Sequence, residues 1–256
     1  MDLGLKGKRA IITGGTRGIG RAIAATLAAE GAHVAICARQ RAELDEAVPM
    51  LAAHGVRAYG GVADIADKAA LEAWMALAVA QLGGLDVLVC NASALIQGNT
   101  EETWTRMFAV DVMGVQRSVA YATPHLVAAA EAGGDAAIVI ISSVSAAETS
   151  TASAYGALKA TQIHFAKGLA KDLAGKQVRV NVVSPGTVYF EGGVWHQRER
   201  AQPDFFKTML ARNPMGRMAT PQEVANAAVF LASPASSFTT GINLVVDGAI
   251  TARVNY

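Results

Sequence analysis

Charge, cysteine and long apolar runs are scarce in this sequence, and each shortage excludes a class of protein. Charged residues make up only 17% of the 256 residues, and the formal net charge is +1. Nucleic-acid binding needs a basic surface, so we expect no nucleic-acid partner. No segment approaches the roughly 18 consecutive apolar residues of a transmembrane helix, so we expect no membrane partner. The hydrophobic fraction is nevertheless 52%, which indicates a large buried core.

The two cysteines and five histidines argue against two further kinds of site. Cys37 and Cys90 each end an apolar run, and two thiols are too few for a disulfide framework, so we expect reduced cysteines. The histidines lack metal-ligand spacing, so we expect no metal site. The first ten residues, MDLGLKGKRA, contain no apolar run of signal-peptide length. Together these features predict a cytoplasmic protein.

Short, almost wholly apolar runs alternate with longer alanine-rich stretches along the chain. Such runs are typical of strands buried on both faces of a parallel sheet. The predicted strands are residues 10–12, 34–37, 87–90, 138–141, 178–183 and 244–246, with a weaker candidate at 57–62. Stretches of helical character include residues 20–30, 68–82 and 153–173. The alternation predicts a single α/β domain over residues 1–256, a doubly wound Rossmann domain with a seven-stranded parallel sheet and helices on both faces.

A glycine-rich stretch, TGGTRGIG at residues 13–20, follows the first predicted strand. In an open parallel sheet, ligands bind beyond the carboxyl ends of the strands. Gly14, Gly18 and Gly20 permit a tight turn, a close backbone approach and a helix N-terminus that can hold a diphosphate. The spacing differs from the general G-x-G-x-x-G fingerprint, and a turn that serves packing alone is the alternative. The position between the first strand and the first helix favours dinucleotide binding.

Six motifs along the chain resemble those of the short-chain dehydrogenase/reductase family: TGGTRGIG, Asp64-Ile65, Cys90-Asn91-Ala92, Ser142-Ser143, Tyr155-x-x-x-Lys159 and Pro185-Gly186. The resemblance extends from about the third residue to INLVVDGA near the end of the chain. It implies an NAD(P)-dependent oxidoreductase with a small-molecule carbonyl or alcohol substrate, a homotetramer or dimer similar to the 3-oxoacyl-[acyl-carrier-protein] reductases. The cofactor-binding residues that it implies are Gly14, Thr16, Arg17, Gly18, Ile19, Gly20, Arg39, Asp64, Ile65, Asn91, Ala92, Tyr155, Lys159, Pro185, Gly186 and Val188.

Tyr155 and Lys159 are four residues apart on a predicted helix, so they share one helix face. A surface pair whose stems cover apolar area is the alternative interpretation. A free phenol ionises at about pH 10, too high for fast proton exchange near neutral pH, and a neighbouring cation favours the phenolate. In this motif context Tyr155 is the predicted catalytic acid/base. The resemblance gives Lys159 a second contact, with the nicotinamide ribose hydroxyls.

The pair Ser142-Ser143 offers a hydroxyl to hold the substrate oxygen beside Tyr155. Successive strand residues point to opposite faces, so only one serine faces the site. The resemblance favours Ser143 as the catalytic serine. The spacing from Ser143 to Tyr155 is one residue shorter than is usual in the family, and Ser142 would restore it but break the strand alignment. We therefore assign Ser143 and place the missing residue in the loop 146–150.

Two positions depart from the family pattern. Relatives often carry an Asn in a V-N-x-x-G pattern, where it supports a proton relay through the catalytic Lys and water, but this chain has Asp111. An aspartate is nearly isosteric with asparagine, yet it only accepts hydrogen bonds and is normally charged. Two interpretations stay open. Asp111 pairs electrostatically with Lys159, or Asp111 replaces the Asn without functional effect and the main chain of the helix does the main work of the relay. In the usual N-N-A-G turn, Cys90 replaces one Asn, and we expect a buried packing residue.

The end of the second predicted strand bears on the choice of cofactor. An NAD-selective site places a carboxylate there, where it binds the ribose 2′-hydroxyl. This chain has Ala38 at that position, followed by Arg39, and Arg17 in the glycine-rich turn adds a second cation. Two guanidinium groups suit a 2′-phosphate, so NADP(H) is the predicted cofactor. The alternative is that both arginines are solvated loop charges. The resemblance places Asp64 and Ile65 against the adenine.

By the same resemblance, residues 187–212 form a mobile flap over the substrate. This segment is rich in aromatic residues, and Phe190 stands where relatives often have a Thr that bonds the carboxamide. Glu191-Gly192-Gly193 offers a hinge. An apolar or aromatic ketone or aldehyde is the predicted substrate, reduced to an alcohol or formed from one. The alternative is that the aromatic side chains pack the flap on the body or on a neighbouring subunit.

A second function class is a non-catalytic dinucleotide-binding protein on the same fold. Such a protein has no need to retain Ser143, Tyr155 and Lys159 together. Their presence favours the enzyme.

Overall fold

The computed structural model of the protein describes residues 2–96, 98–149 and 151–254, and a parallel sheet forms its centre. The strands are β1 Arg9–Thr13, β2 His33–Ala38, β3 Ala58–Val62, β4 Val87–Cys90, β5 Ala136–Ile141, β6 Val178–Pro185 and β7 Asn243–Val246. Their order in the sheet is β3-β2-β1-β4-β5-β6-β7, and every neighbouring pair is parallel. The predicted doubly wound, seven-stranded fold is confirmed, and so is the weak candidate at 57–62.

Helices flank the sheet on both faces. Among the described residues they are α1 Gly18–Ala29, α2 Arg41–Ala52, α3 Lys68–Leu82, α4 Glu101–Met107, α5 Val115–Glu131, α6 Ala154–Ala174, α7 Val194–Ala201, α8 Pro203–Ala211 and α9 Pro221–Ala232. The predicted helix at 68–82 has the observed bounds, and those at 20–30 and 153–173 differ from α1 and α6 by one or two residues. None of the helices in these ranges is long and apolar enough to cross a membrane.

Two apolar clusters fill the space between the sheet and the helices. Neighbouring residues of one strand point to opposite faces, so Ile11 packs in the cluster with α3, α5 and α6, while Ile12 packs in the cluster with α1, α2 and α9. Both side chains are fully buried. Every residue of β5, AAIVII, is buried because helices cover both faces. Because both faces of the central strands are apolar and buried, functional polar groups are expected at the ends of the strands.

The chain reverses its winding direction between two central strands. β1 pairs with β2 on one side and with β4 on the other, although β4 follows it by more than seventy residues. In open α/β sheets, ligands bind in the crevice outside the carboxyl ends of the strands at such a switch point. The glycine-rich turn after β1 and the Cys90-Asn91-Ala92 turn after β4 both lie there.

The segment between β4 and β5 contains an irregular helix. α4 continues through a π-helical segment, Phe108–Gly114, directly into α5. π-helical turns are uncommon and frequent at functional sites. Asp111 lies in the middle of this segment and is fully buried.

Candidate active site

The glycine-rich turn forms a cradle for an anion at the end of β1. Gly14 and Gly18 both have a positive φ, 67° and 53°. A Cβ on Gly20 would lie 2.2 Å from the carbonyl oxygen of Gly14, so only glycine fits where α1 begins. Within the described residues no side chain caps the N-terminus of α1, and its first turn holds no acidic residue. Its free N–H groups therefore suit the diphosphate of a dinucleotide.

Asn91 ties this cradle to the end of β4. Its side-chain amide donates hydrogen bonds to the carbonyl oxygens of Thr13 and Gly14, at 3.1 and 2.9 Å. The hydroxyl of Thr13 in turn accepts from the main-chain N–H groups of Asn91 and Ala92, at 3.0 and 3.2 Å. Sequence reasoning predicted Asn91 and Ala92 as cofactor-binding residues. The structure adds that they hold the cradle in shape.

Two exposed arginines flank the predicted cofactor crevice, Arg39 after β2 and Arg17 in the glycine-rich turn, and the position predicted for a carboxylate holds Ala38. Ala38 is buried, and Arg39 and Arg17 are both exposed, Arg17 as the N-cap residue of α1. A carboxylate that sequence reasoning overlooked lies nearby, because the hydroxyl of Thr16 donates to Glu43 Oε2 at 2.7 Å. Thr16 thus fastens the glycine-rich turn to α2.

Asp64 and Ile65 follow β3. Asp64 is exposed, and its carboxylate accepts a hydrogen bond from the main-chain N–H of Ala66 at 2.9 Å. Ile65 is buried against the π-helical segment, where a Cβ on Gly114 would lie 2.3 Å from its Cγ2. The two residues therefore shape the wall of the crevice between β3 and the π-helical segment.

Tyr155 and Lys159 lie on the first two turns of α6, as the i, i+4 spacing predicts. The ammonium nitrogen of Lys159 is 5.8 Å from the centroid of the Tyr155 ring. Tyr155 is half-buried, but only 2% of the Lys159 side chain is exposed. The ammonium donates to the carbonyl oxygen of Ile141 at 3.0 Å and pairs with Asp111 Oδ1 at 3.2 Å. The structure thus agrees with the interpretation in which Asp111 pairs electrostatically with Lys159.

The two serines after β5 have different surroundings. The hydroxyl of Ser142 donates to the main-chain carbonyl of Lys159 at 2.9 Å, so it joins β5 to α6. Ser143 precedes a short 3₁₀ turn, Val144–Ala146, and its hydroxyl oxygen accepts from the N–H of Ser145 at 3.1 Å. That contact leaves the hydroxyl proton of Ser143 free to be donated. The loop 146–150, where we placed the missing residue, ends at Ser150, outside the described residues.

The 3₁₀ turn lies directly against the start of α6. A Cβ on Gly156, the residue after Tyr155, would lie 2.6 Å from the carbonyl oxygen of Ser145. Glycine at this position allows the turn that carries Ser143 to approach the helix that carries Tyr155. Sequence reasoning did not identify Gly156.

Pro185, Gly186 and Val188 lie at and beyond the end of β6. The N–H of Gly186 donates to the carbonyl oxygen of Val246 at 2.9 Å, and a Cβ on Gly186 would lie 2.9 Å from the Cα of Asp247. Val188 is buried and forms a parallel bridge with Ala219. This segment is thereby fixed at the carboxyl edge of the sheet, where it leads into the predicted flap.

The predicted flap brings an aromatic ring onto the cradle. A Cβ on Gly18 would lie 2.5 Å from the ring of Phe190, and one on Gly193 would lie 2.8 Å from the same ring. Phe190 thus stands over the N-terminus of α1. Further along, the rings of Trp195 and Phe205 stack with centroids 6.2 Å apart, which joins α7 to α8.

The two cysteines near the site are buried packing residues. Burial raises the pKa of the Cys37 and Cys90 thiols to about 12, so both are neutral packing groups. Within the described ranges, no group of three or more histidine, cysteine or acidic residues could hold a metal ion.

Comparison with known proteins decides the family. A family profile described as "Enoyl-(Acyl carrier protein) reductase" matches residues 14–251, nearly the whole chain. The chain belongs to the short-chain dehydrogenase/reductase family. Isoepoxydon dehydrogenase patN of Penicillium expansum is 40% identical over 255 residues, which cover 98% of this chain and 97% of that protein. The cis-4-hydroxycyclohexanecarboxylate dehydrogenase of Sinomonas cyclohexanicum is 38% identical over 253 residues, covering 95% and 96%.

A solved structure supports the same assignment. The crystal structure of L-sorbose reductase from Gluconobacter frateurii, complexed with NADPH and L-sorbose, has a TM-score of 0.89 and 31% sequence identity. The match covers 99% of this chain and all of that chain. As a short-chain dehydrogenase/reductase, the protein is an oxidoreductase of a family that uses nicotinamide cofactors.

Proposed function

We propose that the protein is an NADP(H)-dependent oxidoreductase that reduces a ketone or aldehyde to an alcohol, or catalyses the reverse reaction. The observation that carries the proposal is the buried ammonium of Lys159 beside the half-buried phenol of Tyr155. A surface pair would leave the ammonium in water, because long side chains place their charged ends there. A cation that is buried next to a phenol in the ligand crevice is instead typical of a catalytic site.

The three proposed catalytic side chains have different roles in the reaction. The bound nicotinamide cofactor supplies hydride in the reduction and accepts it in the oxidation. Tyr155 donates its phenolic proton to the carbonyl oxygen, and takes a proton from the alcohol in the reverse direction. Lys159 stabilises the phenolate that is left when the proton departs. Ser143 donates a hydrogen bond to the substrate oxygen and holds it beside the phenol.

Two observations support NADP(H) over NAD(H). Arg39 is exposed directly after β2 and Arg17 is exposed in the glycine-rich turn, and Ala38 stands at the position of the carboxylate that an NAD site uses. The structural relative from Gluconobacter frateurii was crystallised with NADPH. A 2′-phosphate would therefore meet two exposed guanidinium groups.

For the substrate we propose a ketone or secondary alcohol on an apolar or aromatic ring. The flap supplies Phe190 over the cradle and the stacked pair Trp195 and Phe205, which are surfaces that suit a ring. The relative from Sinomonas cyclohexanicum is named for a hydroxylated six-membered carbocycle. A ring substrate is consistent with both.

The experiment that tests the proposed function is NADPH oxidation by the purified protein, followed spectrophotometrically against a matched carbonyl panel. The panel pairs cyclic ketones with straight-chain ketones of the same carbon number, and each assay is repeated with NADH. We expect turnover with NADPH and a higher kcat/KM for the cyclic member of each pair. NADPH binding without turnover of any member would instead indicate a non-catalytic dinucleotide-binding protein.

We also propose that the protein is a cytoplasmic homo-oligomer, a tetramer or a dimer. Cys37 and Cys90 are free, buried thiols, which is consistent with a reducing compartment.

An edge strand of the sheet carries apolar side chains that suit the interface of an oligomer. Phe238 is fully exposed in the segment that leads to this strand, β7, and Ile242, directly before β7, is 39% exposed. Apolar side chains exposed at a sheet edge are typical of an interface. Light scattering on the purified protein is expected to give a mass of two or four chains.

A further inference from the structure

Asp111 is an ionisable residue that the mechanism above does not use, although it touches the catalytic lysine. Its side chain is fully buried, and Oδ1 lies 3.2 Å from the ammonium nitrogen of Lys159, itself only 2% exposed. Burying an isolated carboxylate is strongly unfavourable, so a carboxylate at this position must be paired. Lys159 is the partner that the structure provides.

The remaining contacts of Asp111 hold the carboxylate in place. Oδ2 accepts a hydrogen bond from the main-chain N–H of Ala94 at 3.0 Å. The main-chain carbonyl oxygen of Asp111 accepts from the side-chain amide of Gln162 at 2.6 Å. Among the described residues, Oδ1 makes no aligned hydrogen bond, so its charge is turned to the ammonium of Lys159. The carboxylate is thus fixed from two sides and presents one oxygen to the lysine.

We propose that Asp111 is a positioning residue whose carboxylate holds the Lys159 ammonium in place and balances its charge, so that Tyr155 faces a neutral ion pair rather than an uncompensated cation. The proposal rests on the proposed function, because it concerns the same tyrosine.

Among the described residues, the titratable groups in contact with the pair come from three elements. Tyr155 and Lys159 come from α6, Asp111 from the π-helical segment, and Cys90 from the end of β4. The positive charge of Lys159 acts on Cys90, but burial keeps that thiol neutral, with its pKa at about 12. At the end of β5, Ser142 and the carbonyl of Ile141 complete the surroundings, and neither carries charge. Within the part of the chain that the structure describes, the charged contacts that connect to Tyr155 are therefore those of Lys159 and, through it, Asp111.

Replacing the carboxylate by its neutral isostere gives the sharpest test. Asp111→Asn preserves the acceptor for Ala94 but removes the negative charge, so the ammonium acts on the phenol without compensation. That ammonium is 5.8 Å from the centroid of the Tyr155 ring, and a charge within about 4–6 Å moves a titration by about one unit or more. We expect the phenolate of Tyr155 to form at a pH lower by about one unit in Asp111→Asn than in the wild type. The acid limb of the pH profile for alcohol oxidation is expected to move by the same amount.

The titration is measured by NMR on protein labelled with carbon-13 at tyrosine Cζ, with the Tyr155 signal identified by its loss in Tyr155→Phe. This readout needs no substrate, so it stands even if the proposed reaction fails. The matched control is Asp86→Asn, which removes a nearly buried carboxylate paired with Arg9 at 2.7 Å away from the site. The control is expected to lower the melting temperature and leave the Tyr155 titration unchanged. An unchanged titration in folded Asp111→Asn would overturn the proposal.

A second variant covers the case in which Asp111→Asn does not fold. The double variant Asp111→Asn/Lys159→Gln leaves no uncompensated charge, because it removes both members of the pair. Removal of the ammonium is expected to raise the pH at which the Tyr155 phenolate forms, but by less in the double variant than in Lys159→Gln alone, which leaves the Asp111 carboxylate uncompensated. An upward displacement in the double variant as large as that in Lys159→Gln would contradict the proposal.

Discussion

At the scale of single residues, Lys159 is the side chain that most of the site depends on. Its ammonium contacts the carbonyl oxygen of Ile141 and the carboxylate of Asp111, and it lies beneath the ring of Tyr155. Its main-chain carbonyl receives the Ser142 hydroxyl. One residue thereby joins β5, α6 and the π-helical segment, which is why a long cationic side chain is buried here at all.

The two serines after β5 are expected to differ in what they support. Ser143→Ala removes the proposed donor to the substrate oxygen, and losing such a donor typically costs about 10² in kcat. Ser142→Ala is expected to change the rate far less and to lower the free energy of unfolding by about 1 kcal/mol, because a buried hydrogen bond to α6 is lost. Steady-state kinetics and denaturant titrations on both variants check this. The reverse ranking of the rates would assign the catalytic role to Ser142.

The arginines at the adenine end predict the preference for the cofactor. Each charge-assisted hydrogen bond contributes roughly 1.5–3 kcal/mol, so two residues give NADPH an advantage of about 100-fold or more over NADH. The double variant Ala38→Asp/Arg39→Ala is expected to reverse the order, because it adds repulsion of the 2′-phosphate and removes attraction. Fluorescence titrations with both cofactors measure the change, and Arg57→Ala, an exposed arginine directly before β3, is the control. Equal wild-type affinities would mean that Arg17 and Arg39 are solvated loop charges.

At the scale of elements, helix ends rather than helix interiors position the site. α1 begins uncapped at the glycine cradle, whereas α9, which packs against α1, begins with a complete capping box. In that box Thr220 accepts from the N–H of Glu223, and Glu223 accepts from the N–H of Thr220. The guanidinium of Arg217 also pairs with the carboxylate of Glu223, with an N–O distance of 2.5 Å. The N–H groups at the start of α1 therefore remain available to a ligand, whereas the capping residues of α9 bond the N–H groups at the start of that helix.

The capping box of α9 predicts a pH dependence of stability. The Arg217 guanidinium and the N–H of Thr220 lower the pKa of Glu223 from 4.5 to about 2. Because the pKa is lower in the folded state, this stabilisation is present above about pH 4.5 and is lost as the pH falls toward 2. Glu223→Gln is expected to be less stable than the wild type at neutral pH, with the difference shrinking through that window. Urea midpoints across pH, with Glu131→Gln as the control, measure it. A constant difference would contradict the assignment.

At the scale of the whole molecule, the buried runs and the positions of the motifs predicted the architecture. The strands could be predicted because runs such as AAIVII leave no polar face. Since both faces of these strands are buried and apolar, the polar residues of the candidate site were expected at the strand ends. The i, i+4 spacing of Tyr155 and Lys159 likewise predicted one helix face.

Contacts between distant segments could not be predicted from the same patterns. Asp111 and Lys159 are 48 positions apart, and their pair was one of two interpretations that the family resemblance left open. Periodicity within either helix could not decide between them. Two further contacts also join distant segments and could not be predicted: the hydrogen bond from Thr16 to Glu43, and the position of the Phe190 ring over Gly18. The π-helical segment has a helix-compatible sequence, so its wider turn is set by tertiary packing.

The central claim is that Tyr155 exchanges the proton that accompanies hydride transfer, and one measurement tests it most directly. Tyr155→Phe is compared with the wild type for NADPH affinity and for kcat with the best ketone of the panel. Tyr121→Phe, on α5, is the control for loss of a tyrosine hydroxyl elsewhere. We predict that Tyr155→Phe binds NADPH almost as well as the wild type while its kcat falls at least about 10²-fold, as expected for loss of a general acid. A kcat within a few-fold of the wild type in Tyr155→Phe would contradict the account.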